Sequence, residues 1–112
     1  MSQIYPQTDP LLPKIIASLK KDLNLIRLFL YGSRAGGNAR PDSDYDFVAV
    51  VPEFDSSRRY EMMSKISSQF WQELDVEVQV WIYSQTEFND WKDEFSSIPE
   101  TALNTGIEVT LG

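Results

Sequence analysis

Apolar positions along the chain follow two rhythms. Leu12, Ile15, Ile16, Leu19 and Leu23 recur at three- and four-residue steps, which marks one face of a helix, and Asp9 ahead of Pro10 supplies an N-cap. Residues 25–31 (LIRLFLY) and 47–51 (FVAVV) are short apolar runs rich in β-compatible types, so each predicts a strand. Between them and the third run the helical rhythm returns in Met63, Ile66, Phe70 and Leu74, with Ser56 or Ser57 as cap and Met62 beside Met63 as core. The third run, LDVEVQVWIY, alternates strictly: Asp75, Glu77 and Gln79 on one face, Val76, Val78 and Val80 on the other. Ser84-Gln85-Thr86-Glu87 is a capping box ahead of Phe88, Trp91 and Phe95, and Pro99 closes that helix. A short last helix ends near Gly106, beyond which Ile107, Val109 and Leu111 alternate. Helices and strands in this order predict an α/β (α+β) fold, a mixed β-sheet packed with helices, in one small domain over residues 1–112.

Composition narrows the chemistry. With 112 residues, 42% of them hydrophobic, the chain supports one modest core and no second substrate domain. Seventeen acidic against ten basic residues give a net charge of -7, which argues against stable binding to a nucleic-acid duplex. The absence of Cys and His removes thiol nucleophiles, imidazole bases and the usual zinc ligands, leaving carboxylates as general bases near neutral pH. No apolar stretch reaches membrane-spanning length and the N-terminus lacks a signal-peptide core, so a cytoplasmic location and no membrane partner are expected.

Chemistry concentrates at the join between the first two strands. Gly32 and Ser33 follow the first strand at once, a turn whose free backbone amides suit an anion such as a triphosphate. Ten residues later come Asp44, Tyr45 and Asp46, and the two-residue period of a strand puts both Asp side chains on one face. Like charges brought together want a cation, and a donor set made only of hard oxygens suits Mg²⁺. The intervening loop carries Arg34 and Arg40, either able to reach phosphate oxygens. Each half alone reads as an ordinary turn. Joined in order, they point to nucleotidyl transfer.

Gly32, Ser33, Asp44 and Asp46 reproduce without a gap the Gly-Ser, ten residues, Asp-x-Asp signature of minimal nucleotidyltransferases, and the chain resembles that branch of the DNA polymerase beta-type superfamily. The likeness runs from about residue 11 to the C-terminus and takes in QTEFNDW and ALNTGIEVTLG. One position departs: Gly36 stands where many members carry a basic residue, which leaves Arg34 as the phosphate contact. The resemblance implies a polymerase beta-like nucleotidyltransferase fold, ATP as substrate, Mg²⁺ as cofactor, and a third carboxylate on a later strand that completes the metal site and takes the acceptor's proton. Counting back from Glu87 places that acid at Glu77 in one register and at Gln79 in another, with Asp75 a pleat away. Glu77 is the favoured position. At this size the resemblance further implies an antitoxin that transfers AMP to a tyrosine of a HEPN-family ribonuclease toxin. The alternatives are a non-catalytic antitoxin that masks the toxin by binding, and a nucleotidyltransferase of small molecules such as aminoglycosides, whose relatives usually add a helical substrate domain. Acceptor, nucleotide preference and oligomeric state are not set by the residues.

Overall fold

A computed structural model describes residues 9–32 and 44–111. Within them the order is α1 (Leu12–Asp22), β1 (Arg27–Tyr31), β2 (Tyr45–Val51), a 3-10 turn (Ser56–Arg58), α2 (Arg59–Leu74), β3 (Val78–Ser84), α3 (Gln85–Trp91), α4 (Ile98–Thr105) and β4 (Ile107–Glu108). The four described strands form one mixed sheet in the order β3-β2-β1-β4, with β2 antiparallel to β1 and parallel to β3. Strand alternation then divides the core. Leu28, Leu30, Phe47, Ala49, Val80 and Ile82 face one layer, packed against Ile15 and Leu19 of α1 and Ile66 and Phe70 of α2. Phe29, Val48 and Val50 face the other, under Phe88 of α3 and Ala102 of α4.

The helix ends explain where sequence periodicity and structure diverge. Asp9 is not the N-cap of α1: the helix begins at Leu12 rather than at Pro10, Leu11 is its N-cap, and Asp9 Oδ1 accepts from the amides of Leu11 (3.1 Å) and Leu12 (3.3 Å) from just ahead of it. The cap of the next helical stretch is Asp55, whose carboxylate accepts from the Ser57 amide; neither Ser56 nor Ser57 serves. The Ser84–Glu87 capping box is present in full. Its helix nevertheless stops at Trp91, so Trp91 and Phe95 do not extend a buried stripe, and Phe95 is 91% exposed. Pro99 opens α4 instead of closing α3: Ser97 caps that helix, Pro99 stands in its first turn, where a missing amide costs nothing, and Glu100 adds favourable charge.

Three contacts lock the layers. Phe29 stacks on Phe88 at 5.5 Å between centroids, a pairing worth about 0.5–1.5 kcal/mol beyond its buried area. Arg27 reaches across to Glu108 in a two-pronged ion pair at 2.9 and 2.7 Å, tying β1 to β4. Arg59 donates through Nε to the Ile82 carbonyl (2.8 Å) and through its terminal nitrogen to Glu87 (2.6 Å), joining the start of α2 to the outer edge of β3 and to the α3 capping box. Burial pushes the Glu87 carboxyl up, yet the Arg59 and Ser84 hydrogen bonds together hold it below its ordinary value.

Gly106 ends α4 where the backbones of α4 and β1 nearly touch. A β-carbon there would lie 2.5 Å from the Ala102 carbonyl oxygen and 2.8 Å from that of Leu30. Both obstacles are main chain, which cannot swing aside. Gly106→Ala is therefore expected to destabilise the protein by about 1–3 kcal/mol, read as a lower urea midpoint with unchanged slope.

Candidate active site

The site forms where the end of β1 meets the starts of β2 and β3. The register sets Tyr31 opposite Asp46 on one side and Gln79 beside Asp46 on the other, so one row crosses the sheet as Tyr31, Asp46, Gln79. Gly32 follows Tyr31 with φ of +76°, a conformation that glycine adopts freely, and a β-carbon there would sit 2.9 Å from Asp46 Oδ2. The turn and the second Asp of the motif are thus neighbours in space. Tyr45, between the two Asp residues, points to the opposite face, where it is buried and its hydroxyl donates to the Asp9 carboxylate at 2.9 and 2.7 Å. The segment just ahead of α1 and the strand bearing the acids are fastened together by that bond.

Glu77 enters just before β3. Its carbonyl accepts the Tyr45 amide at 3.0 Å, and its exposed side chain meets Asp44, also exposed. A hydrogen bond shared with Asp44, reinforced by that residue's charge, raises the Glu77 pKa above the ordinary Glu value. Asp46 is half-buried, and burial first, then the Asp44 charge, raises it too. The other two positions left open by the sequence part company. Asp75 is not on the strand at all: with φ of +54° it is the left-handed C-cap of α2. Gln79 lies on β3, exposed, in the Asp46 row. Ser33, Arg34, Gly36 and Arg40 lie outside the described residues. Among the described residues no three Asp or Glu side chains stand close enough together to hold one ion.

Two aromatic residues beside the acids escaped the sequence reading. Tyr31 is held neutral, its pKa pushed up to about 12 by burial first and then by the Asp46 and Tyr83 charges, against a hydrogen bond from the Trp81 indole. Tyr60, on α2, meets Trp81 edge-on at 6.1 Å. A signal for Tyr31 was available: an aromatic directly before Gly32 must share the face of the Asp pair once the two strands form a hairpin.

The crowding has a thermodynamic sign. A carboxyl whose folded pKa lies above its unfolded value makes the folded state less stable once it ionises, and the penalty disappears as pH falls below both values. In ion-free protein Asp46→Asn is therefore expected to raise the melting temperature at pH 7, with the gain shrinking toward pH 3. Calorimetric melts of both proteins across that range check it; a lower melting temperature for the variant at neutral pH would contradict the reading. Gly32→Val is expected to disturb Asp46 directly, since both the backbone angle and the 2.9 Å approach oppose a side chain. Titration calorimetry with ATP and Mg²⁺ should show at least a tenfold loss of affinity.

Comparison with known proteins bears on the family and the fold. The family model described as Polymerase beta, Nucleotidyltransferase matches residues 13–96. A protein of Methanocaldococcus jannaschii, provisionally named protein adenylyltransferase MJ0141, is 29% identical over 102 residues, covering 86% of this chain and 96% of the relative. Among solved structures, a mutant of the toxin-antitoxin MntA-HpeT superposes with a TM-score of 0.57 at 18% identity, over 86% of this chain and 69% of that one, which is a likeness of fold.

Proposed function

The chain belongs to the polymerase beta nucleotidyltransferase family, and from that premise we propose that it is a Mg²⁺-dependent protein adenylyltransferase that moves AMP from ATP onto a hydroxyl of a partner protein. The observation that carries this reading is the meeting of Asp44 and Glu77 beside Asp46, with Gly32 against the Asp46 carboxylate. Acidic groups brought together, with Asp46 and Glu77 raised in pKa, are what a site looks like when a cation belongs there. The donor set fits Mg²⁺, which is commonly held by one or two carboxylates with phosphates and water completing its shell, so a cage of three protein acids is not required. Asp44 and Asp46 would hold it, with Glu77 beside Asp44 to take the acceptor's proton. A bound divalent ion there would neutralise phosphate charge during transfer.

The protein's own part is positioning and proton transfer. Gly32 leaves room for phosphate oxygens near Asp46, and Ser33 and Arg34 are assigned the remaining phosphate contacts on the strength of the signature. The acceptor oxygen bonds to the α-phosphorus as the bond to the bridging oxygen of pyrophosphate breaks. The hydroxyl proton passes to Glu77, and pyrophosphate leaves with the displaced electron pair. The name borne by the M. jannaschii relative supports a protein acceptor, and the fold shared with the MntA-HpeT pair supports a toxin partner. A tyrosine of a HEPN-family toxin is the acceptor we assign, with the chain acting as its antitoxin.

The test incubates the protein with labelled ATP, Mg²⁺ and the product of the neighbouring reading frame, then weighs both chains intact. The expected result is one AMP added to the partner. Glu77→Gln should slow transfer about 10²- to 10⁴-fold while Mg²⁺-ATP affinity falls only modestly. A partner that is bound and silenced but never gains mass would favour masking by binding alone.

A further inference from the structure

A groove of about 390 Å³ opens from the acids toward α2, lined by Tyr60, Ser64, Ser67 and Ser68 of α2 and by Glu77 and Gln79, with Asp44 at its mouth. It adjoins a second hollow of about 460 Å³ that continues past Ser68 to Trp71. Tyr60, Ser64, Ser67 and Trp71 follow one another at helical steps of four, three and four residues, so they form one stripe about 16 Å long on the side of α2 away from the core. Large apolar side chains mark its two ends, Tyr60 at 72% exposure and Trp71 at 54%, while the serines between them are short enough to let a backbone approach.

We propose that this groove is the acceptor track: a segment of a partner polypeptide lies along α2 and delivers its hydroxyl to the acids from the β3 side. The inference rests on the nucleotidyl-transfer reading and adds the direction of entry and the charge of the segment that carries the acceptor. Direction follows from the sheet order. Phosphoryl displacement wants the attacking and leaving oxygens on opposite sides of the phosphorus. Gly32, the turn that seats the departing phosphates, closes β1 on one flank of Asp46, whereas Glu77 and the groove lie beyond β2 on the other flank. A hydroxyl arriving through the groove meets Glu77 first and has pyrophosphate behind the reacting centre.

Length and charge identify a polypeptide. A single base or sugar would fill one end, but a stripe of 16 Å with an aromatic anchor at each end matches about five residues of extended chain. Among the described residues the lining includes Asp44 and Glu77 and no Lys or Arg, so the segment that fits carries basic residues and no carboxylate near its hydroxyl.

The probe is a random nonapeptide library with a fixed central tyrosine, selected on the immobilised full chain in the presence of Mg²⁺ and a non-hydrolysable ATP analogue, with tyrosinamide as the small-molecule control. Selected peptides are expected to be rich in Lys and Arg and to shift the NMR signals of Ser64, Ser67 and the Trp71 indole. Ser64→Trp, on an exposed helix position that tolerates bulk, and Trp71→Ala should each weaken peptide binding at least tenfold, with Mg²⁺-ATP affinity unchanged and tyrosinamide affected equally little by both. The inference is overturned if no peptide is selected, if the shifts fall instead on the exposed Trp91 and Phe95 of the opposite layer, or if both variants bind peptide as the wild type does. Peptides that dock in the groove but never gain AMP from ATP would defeat the reading of the reaction and leave the docking track standing. AMP transfer at wild-type KM by both groove variants would defeat the track alone.

Discussion

Crowding at the strand starts, with Glu77 against Asp44 and Asp44 beside the half-buried Asp46, is the constraint on which the rest of the site depends. Each acid sits at the start of a strand, and the backbone leaves it little choice of place: the Tyr45 amide is bonded to the Glu77 carbonyl, and the β1–β2 register sets Asp46 against Tyr31. A sheet that cannot relax pays for the contact in raised carboxyl pKa values rather than in separation. In the proposed function relief comes from a positive ion, which would tie the chemistry of the site to the rigidity of its frame.

That frame is reinforced where the acids pull on it. The Tyr45 side chain runs through the core layer to Asp9, just ahead of α1, so the residue between the two motif acids is anchored on the far side of the sheet. Arg59 fixes the outer edge of β3 at Ile82 and the capping box of α3 together. Phe29 against Phe88 holds α3 over the opposite face. The edge of the site toward α2 is left open, with polar hydroxyls in place of packing, consistent with a reaction that needs a second macromolecule to reach it.

Much of this was legible in the residues. The order of the Gly-Ser turn and the Asp pair was enough to read them as one site, and two-residue alternation to expect both acids on one face. The same alternation misled at Asp75, because a left-handed helix cap consumes the residue before the strand can start, and only Glu77 and Gln79 remain candidates on that side. Likewise Phe95 and Trp91 keep helical spacing from Phe88 but lie at and beyond the end of a helix of two turns, where periodicity no longer implies a shared buried face. Pairings between distant segments, such as Asp9 with Tyr45 or Tyr60 with Trp81, leave no trace in local pattern and needed coordinates.

The central claim is that the carboxylates at the strand starts are crowded for the sake of a cation and a nucleotide. Carbon-13 NMR titration of the Asp and Glu carboxyls, with and without Mg²⁺ and a non-hydrolysable ATP analogue, tests it most directly. In the ion-free protein Asp46 and Glu77 should titrate above their ordinary ranges, and both should fall when Mg²⁺ and the nucleotide analogue are added. Ordinary values in the ion-free protein, with no response to either addition, would contradict the account.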